Sequence, residues 1–293
     1  MNRKIGFATS AGHRLLTEDD QIAASSLEHR GVTVVPVVWT EVAAQDVACD
    51  LLVLRSVWDY HLHPDAFVNW VCEIHQRIPV VNPPEVMRWN MDKHYLREFE
   101  AEGILIPKTL VLEQGSNVDL EALMAEAGFS EAVIKPAISA SAFETHLLRR
   151  ENAALFNGKL NALLRTRAVL IQEFVSEIRT VGEWSLIYLG GEYSHAVRKL
   201  PRDGDFRVQH EHGGIYHTAQ PSDAMVQTAS NIIARFAHDA LYARVDVIER
   251  GREIVLIELE LIDPLLHFEV APQAAEHMAE LLAQIVVRNV RAI

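Results

Sequence analysis

The chain has 293 residues, 49% of them hydrophobic and 23% charged, and its 27 lysines and arginines against 40 acidic residues give a formal net charge of −13. This composition is typical of a globular protein, and it argues against disordered or fibrous classes and against general nucleic-acid or anionic-membrane binders, which need a positive field. At this length one hydrophobic core no longer grows comfortably, so we expect two or more lobes that share a cleft.

The first 90 residues alternate short apolar runs with amphipathic stretches, which predicts a parallel sheet with helices on its faces. The predicted strands are Lys4–Ala8, Val32–Val38, Leu51–Leu54 and Val80–Val81. Thr17 and Asp20 have the spacing of a capping box, and Pro64 suits the first turn of a second helix.

After Asn82–Pro84 the pattern changes to short helices, strands and hairpins of α+β character. Helices are predicted at Met91–Glu102, Leu120–Ala127, Glu151–Leu164, Asp223–Leu241 and Pro272–Val290. Strands are predicted at Ile104–Leu112, Ala132–Lys135 and Val169–Phe174, and hairpins join Glu183–Leu189 to Glu192–Arg198 and Arg244–Ile248 to Glu253–Glu260. Leu200–Pro221 is expected to be irregular.

Two cysteines, Cys49 and Cys72, allow at most one disulfide and lie in no CxxC pattern, which predicts a reduced, cytoplasmic chain. The sequence begins without the apolar stretch of a signal peptide, and no run reaches the roughly 20 apolar residues of a membrane span. We therefore expect no membrane and no nucleic acid among its partners, and a homodimer is left open.

Acidic residues cluster near the end of the chain, at Asp246, Glu258, Glu260 and Asp263. Positions two apart share one face of a strand, so Glu258 and Glu260 project together, and the hairpin brings Asp246 beside them. Like charges among apolar neighbours need a counter-ion, and carboxylate oxygens suit Mg²⁺. The alternative is a solvated strand face whose glutamates point outward.

Two lysines form a candidate anion site. Lys93 stands at a predicted helix start, and Lys135 ends an apolar strand before the small-residue run 137–142. Backbone N–H groups of such a run can add hydrogen bonds to phosphate. The spacing is not that of a Walker A loop, and each lysine taken singly is better explained as a surface residue.

The strand Ile171–Val175 can offer its backbone to the edge of an adenine, and Glu183 shortly afterwards can hold ribose hydroxyls. A plain buried strand explains the same residues.

A basic, glycine-bearing loop follows the first hairpin. Guanidinium groups bind phosphate or carboxylate in bidentate fashion, so this loop is a candidate for holding an anionic intermediate, and an ordinary exposed loop is the alternative. Its candidate residues are Arg198, Lys199, Arg202, Arg207, Gly213 and Gly214.

The order of these features from Val80 to Pro264 resembles the ATP-grasp superfamily. That resemblance implies an ATP-grasp fold, with an N-terminal Rossmann-like α/β domain and two α+β lobes that enclose a nucleotide. The implied domains are residues 1–90, a central lobe 91–172, and a C-terminal lobe 173–293 that carries the metal site.

The resemblance also implies roles for the candidate residues. Lys93 and Lys135 would bind the phosphates of ATP, and Glu183 would bind the ribose. The adenine would be bound by Gln172, Glu173, Phe174 and Val175. Mg²⁺, or Mn²⁺ in its place, would be bound by Asp246, Glu258 and Glu260. Arg207 would stabilise the transferring phosphoryl group, with Lys135 and Arg198 as further catalytic candidates. Two features depart from the family pattern: Glu260 stands where asparagine is common, and the run after Lys135 lacks glycine.

Within the superfamily, segments 54–60, 80–96 and 258–264 are similar to glutathione-synthetase-like enzymes, especially the D-cycloserine-forming cyclo-ligase branch. The implied reaction activates a carboxylate as an acylphosphate for attack by a nitrogen, which in the cyclo-ligase belongs to the same molecule, O-ureido-D-serine. Candidate residues for an amino-acid-like substrate are Arg55, Ser56, Tyr60, Gly213 and Gly214, the first three because ligands collect at the carboxyl ends of parallel strands. The alternative pairs Arg55 with a structural carboxylate and makes Tyr60 a packing residue.

Three other functions remain open on the sequence alone. An intermolecular carboxylate–amine ligase would use the same residues, and a regulatory protein would bind ATP without turnover. A metal-dependent hydrolase would combine the acidic cluster with histidines such as the pairs His61/His63 and His210/His212.

Overall fold

Four parallel strands form the first sheet of the computed structural model, which describes residues 3–289. The strands are β1 (Arg3–Thr9), β2 (Val32–Val38), β3 (Leu51–Ser56) and β4 (Val80–Val81), in the order β2-β1-β3-β4. Helices α1 (Glu18–Glu28) and α2 (Pro64–His75) lie between them in the chain, and the Thr17 side chain caps α1 by accepting a hydrogen bond from the Asp20 backbone N–H. The predicted parallel sheet with alternating helices is confirmed.

The helix predicted at Met91–Glu102 is the shorter α4 (Tyr95–Ala101), and a separate helix that was not predicted, α3 (Pro84–Met91), precedes it. The break lies at Asp92, whose extended φ of −102° and ψ of 114° end α3. Because Lys93 is therefore outside a helix, its backbone N–H donates to the Ala137 carbonyl at 3.0 Å. The break fixes Lys93 against the segment that begins at Ala137.

The second sheet is antiparallel, in the order β5-β8-β6-β7. Its strands are β5 (Thr109–Leu112), β6 (Glu131–Pro136), β7 (His146–Arg149) and β8 (Val169–Glu173), and its helices are α5 (Leu120–Ala127) and α6 (Asn157–Leu164). The strand predicted after Pro107, a residue with no N–H to donate to a ladder, begins at Thr109. The helix predicted at Glu151–Leu164 was too long, because Arg150–Phe156 is a 3₁₀ segment ahead of α6.

The third sheet contains both predicted hairpins and runs β11-β10-β9-β12-β13. Its strands are β9 (Glu183–Leu189), β10 (Glu192–Leu200), β11 (Ile215–Thr218), β12 (Tyr242–Arg250) and β13 (Glu253–Glu260). Strand β11 lies in the segment predicted to be irregular, because it is held by pairing with β10 rather than by a local apolar pattern. Helix α7 (Asp223–Phe236) ends before the predicted Leu241, at Ala237 with its φ of −141°.

The last helix, α8 (Pro272–Asn289), packs on α1 and on β9 of the third sheet, and it shares a hydrophobic cluster with the first sheet. Ala275, Met278 and Leu282 of α8 share one hydrophobic cluster with Ile5 and Leu27. Residue 290, which the sequence placed in this helix, lies outside the described residues. Among residues 3–289, no helix combines the length and the apolarity needed to cross a membrane.

Buried hydrogen bonds also join the first sheet to the third. The Asn82 side chain donates to the carbonyls of Tyr242 at 2.9 Å and Leu261 at 2.7 Å and accepts from the Leu241 N–H at 2.7 Å. The Tyr242 hydroxyl donates to the Leu54 carbonyl at 2.6 Å. Because buried polar groups are costly to leave unpaired, these bonds fix how the two sheets meet. The predicted domain boundaries at 90 and 172 stay predictions.

Candidate active site

A cavity of about 1170 Å³ lies between the three sheets. Residues from all three, or from loops that leave them, form its wall, including Ser10, Lys135, Gln172, Glu183 and Asp246. The volume exceeds that of a typical pocket for one small molecule. It offers room for two ligands side by side.

The cavity floor is a buried network of opposite charges on strands β12 and β13. Asp246 and Glu258 stand opposite each other in the register of the hairpin, and Arg244 stands opposite Glu260. The Arg244 guanidinium donates to Asp246 Oδ2 at 3.0 Å and also pairs with Glu260. Burial disfavours the charged form of Asp246, but the neighbouring Arg244 and Lys199 outweigh it and lower its pKa.

The carboxylates are not equally balanced by cations. Burial raises the pKa of Glu260 to about 7. The charge of Arg244 opposes this rise, whereas the negative charges of Glu258 and Asp246 add to it. For Glu258, burial acts in the same direction, but Lys93 and Lys135 outweigh it and its pKa falls. Negative charge is thus in excess on the Glu260 side of the network.

No group of three or more histidine, cysteine or acidic side chains converges on a metal position anywhere in residues 3–289. The three carboxylates predicted as metal ligands are instead ion-paired: Asp246 and Glu260 with Arg244, and Glu258 with Lys93, whose Nζ lies 3.1 Å from Glu258 Oε1. Their oxygen donors and the excess charge around Glu260 nevertheless fit a hard divalent cation, for which small side-chain movements would be needed.

Both predicted phosphate-binding lysines line the cavity and are buried. Lys93 Nζ donates to the Ser139 carbonyl at 2.8 Å, which ties the lysine to the small-residue run after β6. Burial lowers the pKa of Lys135, Glu258 partly opposes this effect, and Lys93 adds to it. Two neighbouring buried cations favour an anion between them.

The small-residue run after β6 has a constrained backbone although it contains no glycine. Ser141, Ala142 and Glu144 all adopt positive φ, at 49°, 53° and 49°. Residues other than glycine rarely adopt this conformation, so the path of the loop is maintained by its surroundings.

The residues predicted to bind adenine and ribose also line the cavity: Gln172, Glu173, Phe174, Val175 and Glu183. Gln172 Nε2 donates to the Thr109 hydroxyl at 3.0 Å. Glu183 is buried and pairs with Lys199 at 2.5 Å. The Glu183 carboxylate is therefore engaged by a cation within the protein.

The basic loop contributes only some of its predicted residues. Arg207 lines the cavity, and its guanidinium is held by Asp205, with Nη2 to Oδ2 at 2.9 Å. Arg198 points elsewhere: its Nε donates to the Val181 carbonyl at 2.5 Å and its guanidinium lies over the Trp184 ring. Gly214 lines the cavity, whereas its neighbour Gly213 packs against Arg202.

Replacing Gly214 with alanine is expected to displace the 208–214 loop, because the new Cβ would lie 1.9 Å from the Val208 carbonyl oxygen. We expect a loss of about 1–3 kcal/mol in the free energy of unfolding, measured by urea denaturation. Gly158→Ala is the matched control, since no described atom lies within 4 Å of its added Cβ and Gly158 is in helix α6. It should stabilise the protein by about 0.5–1 kcal/mol. Equal effects at the two positions would contradict this reading of the loop.

The predicted substrate residues at the end of β3 separate into two groups. Tyr60 lines the cavity while its ring stacks on Phe67. The structure does not bring Arg55 or Ser56 to the cavity wall. Arg55 Nε donates to Asp20 Oδ1 at 2.7 Å, and Ser56 Oγ lies 2.7 Å from the Thr9 hydroxyl. Arg55 lies as the alternative in the sequence analysis expected, paired with structural carboxylates: it is 2% exposed and forms ion pairs with Asp19 and Asp20 of α1.

Asp19, beside this arginine, supplies a pH test. Burial raises its pKa from 3.8 to about 6, Arg55 opposes the rise and Asp20 adds to it. A carboxyl with a raised pKa in the folded state contributes stability that is complete below pH 3.8 and lost as the pH rises through about 6. The free energy of unfolding of the wild type should therefore fall, relative to that of Asp19→Asn, between about pH 4 and 6. Urea denaturation at intervals of one pH unit measures this difference, and parallel pH profiles would contradict it.

Sequence reasoning missed the main role of Arg244 and Lys199 in the charge network. Arg244 shares a strand face with Asp246 two residues later, a spacing that was available from the sequence. Lys199 lies opposite Glu183 in the β9–β10 register, and its Nζ is 3.4 Å from Asp246 Oδ1. Only the folded sheet brings this lysine to Asp246, because the two residues come from strands that are not neighbours.

Comparison with known proteins gives two family matches. Residues 5–82 match the N-terminal domain of D-cycloserine synthetase DcsG, and residues 94–280 match the RimK-like ATP-grasp domain. A similar curated protein is the cycloserine biosynthesis protein DcsG of Streptomyces lavendulae, 26% identical over 277 residues that cover 87% of this chain and 89% of that protein.

Solved structures are similar over nearly the whole chain. The crystal structure of D-cycloserine synthetase DcsG matches with a TM-score of 0.82 at 23% identity and covers 97% of this chain and 99% of that one. The crystal structure of D-alanine–D-alanine ligase from Bacillus anthracis complexed with ATP matches with a TM-score of 0.67 at 14% identity and covers 99% and 98% of the two chains. At these identities the structural likenesses show the fold alone.

Proposed function

The chain belongs to the RimK-like ATP-grasp family, and from that membership and the cavity we propose that it uses ATP to activate a substrate carboxylate as an acylphosphate, which a nitrogen then attacks. The predicted ATP-grasp fold is confirmed, and this fold implies ATP binding. The observation that best supports the reaction is the pair of buried lysines, Lys93 and Lys135, facing a cavity whose floor holds Arg244 and three carboxylates.

The first step is phosphoryl transfer. An oxygen of the substrate carboxylate attacks the γ-phosphorus of ATP, the bond to the bridging oxygen breaks, and ADP leaves. Lys93 and Lys135 bind phosphate oxygens, and Arg244 and Arg207 are the guanidinium groups available to stabilise charge on the transferring group. Asp246, Glu258 and Glu260 would hold Mg²⁺, whose charge would neutralise that of the phosphates.

The second step forms the C–N bond. The nitrogen attacks the acyl carbon, phosphate leaves with the bonding electrons, and the nitrogen loses a proton. No nucleophile from the protein is needed, so positioning and exclusion of water are the protein's contribution. Tyr60 and Gly214 on the cavity wall are the predicted substrate residues placed for that positioning.

We propose O-ureido-D-serine as the substrate and D-cycloserine as the product: the oxygen-bound nitrogen closes the ring on the acyl carbon, and water cleaves the carbamoyl group from that nitrogen, which releases carbon dioxide and ammonia. The support is the similarity to DcsG over 87% of the chain and the separate match of residues 5–82 to the N-terminal domain of that enzyme. A ligase that joins two separate molecules would use the same ATP half of the cavity, and it differs only in where the nitrogen comes from.

The test is ADP release from the full-length protein with ATP and Mg²⁺, screened against amino acids and O-ureido amino acids. We expect release with O-ureido-D-serine alone, without a second amine. Release that requires a separate amine would indicate the intermolecular ligase. Hydroxylamine should trap the activated acyl group as a hydroxamate, and a hydrolase or a binding protein without turnover would give none.

A further inference from the structure

A segment of the cavity wall has no role in the reaction as proposed so far. It follows β13 and runs from Asp263 to Phe268, and we call it the 263–268 segment. Asp263 and His267, four residues apart within it, both line the cavity. Asp263 belongs to the acidic cluster of the sequence but is not one of the predicted metal ligands.

The backbone of this segment is held firmly in place. Asp19 Oδ1 accepts from the Phe268 N–H at 2.5 Å and Asp19 Oδ2 from the Leu266 N–H at 3.1 Å, so the two bonds flank His267. His267 itself adopts a positive φ of 57°. A side chain other than glycine is rarely placed in this conformation unless the surroundings fix it. The orientation of His267 is therefore set before any ligand binds.

The contacts of His267 define its protonation. Its Nδ1 lies 3.3 Å from Glu269 Oε1, and an ionised carboxylate can only accept, so the Nδ1 atom carries the ring proton. Burial, with Arg244 and Lys199 nearby, lowers the pKa of His267 to about 3, so the ring is neutral. The lone pair of Nε2 is then an acceptor, and among the described residues this buried atom has no hydrogen-bond partner.

Asp263 presents a second unused acceptor. The residue is 7% exposed, and its Oδ2 has no hydrogen-bond partner within residues 3–289. Its backbone carbonyl is fixed by the Trp58 indole N–H at 3.0 Å. Burial and the nearby Glu260 raise the pKa of Asp263 well above its usual range, so the neutral carboxyl is favoured in the free protein, and a cation bound beside it would favour the ionised carboxylate. Buried polar atoms without partners are uncommon in folded proteins.

We propose that Asp263 and His267 form the subsite that binds the primary ammonium group of the substrate, an inference that rests on the ligase function proposed above. An ammonium group has three N–H donors and one positive charge. Two of those donors match Asp263 Oδ2 and His267 Nε2, and the charge matches the carboxylate. The same two acceptors reject carboxylate and phosphate groups, so the subsite directs the substrate carboxylate toward the lysines and Arg244.

The test compares O-ureido-D-serine with its deamino analogue, 3-(ureidooxy)propanoic acid, by isothermal titration calorimetry on the full-length protein. We expect the wild type to bind the amino compound at least tenfold more tightly. Asp263→Asn should weaken binding of the amino compound by about tenfold to 100-fold and leave the deamino analogue within about twofold. His267→Asn should act in the same direction, and asparagine tolerates the positive φ at this position.

Asp65→Asn is the matched control, because it makes the same substitution at an exposed residue in the first turn of α2, outside the cavity wall. It should leave both affinities unchanged. Circular dichroism and urea denaturation establish that each variant is folded. Equal weakening of both compounds by Asp263→Asn, or equal affinity of the wild type for them, would overturn the ammonium subsite.

These results are separable from those for the ligase function. ADP release by a wild type that does not distinguish the two compounds would leave the ligase standing and remove the subsite. If the wild type binds the amino compound more tightly but releases ADP with no substrate, the ammonium subsite would stand and the ligase function would be wrong.

Discussion

Lys135→Ala is expected to lower kcat/KM for ATP-dependent ADP release by about 100- to 1,000-fold. Lys135 is 8% exposed at the end of β6 and faces the cavity, so its charge acts on phosphate with little screening by water. The fold should survive, because Glu258 keeps its ion pair with Lys93. The measurement is ADP release at saturating substrate over a range of ATP concentrations, with urea denaturation alongside.

Lys4→Ala is the control for this variant, since Lys4 is exposed on β1 and outside the cavity wall. Its turnover should match that of the wild type. If Lys135→Ala retains turnover within threefold of the control, the proposed role of this lysine in binding phosphate is wrong.

Arg244→Ala is expected to remove activity and also to destabilise the fold by about 3 kcal/mol. The arginine is the shared partner of Asp246 and Glu260, and its loss leaves two buried or half-buried carboxylates with less compensation. Asp246 retains Lys199 at 3.4 Å and a hydrogen bond from Ser185, so the effect falls at the low end of the range for broken buried pairs. Urea denaturation and ADP release measure the two effects separately.

The double variant Arg244→Ala with Glu260→Gln distinguishes catalysis from stability. Neutralising Glu260 removes the charge left without a partner, so at least half of the lost stability should return. Activity should stay low, because the guanidinium is still absent and one of the proposed Mg²⁺ ligands is replaced; Glu260→Gln alone measures the second effect. Full recovery of ADP release in the double variant would show that Arg244 acts only by supporting the fold.

Much of the fold followed from the sequence because its elements are encoded locally. Alternation with period two predicted the β12–β13 hairpin and placed Asp246 beside Glu258, and the structure has them in register. The capping residue Thr17 marked the start of α1. The strand alternation and the helix cap both depend on residues that are close in the sequence, so they could be predicted from it.

The parts that sequence reasoning missed depend on partners distant in the chain. The break between α3 and α4 is held by the hydrogen bond from the Lys93 N–H to the Ala137 carbonyl, and β11 is held by its pairing with β10. Arg55 lies near the carboxyl end of β3, where ligand residues are often found, but α1 places two carboxylates against it. A local sequence pattern cannot predict which carboxylate, distant in the chain, will pair with a buried arginine.

The packing of α8 on the first sheet has a consequence for how the chain folds during synthesis. Ile5 and Leu27 share their hydrophobic cluster with Met278 and Leu282, so the earliest strands remain without part of their cover until the end of the chain has left the ribosome. The second sheet contains its own cluster, including Met124 and Leu160, and can close earlier. The first sheet to be translated is therefore completed late, and loss of the C-terminal helix would expose apolar residues of this sheet together with those of β9 in the third sheet.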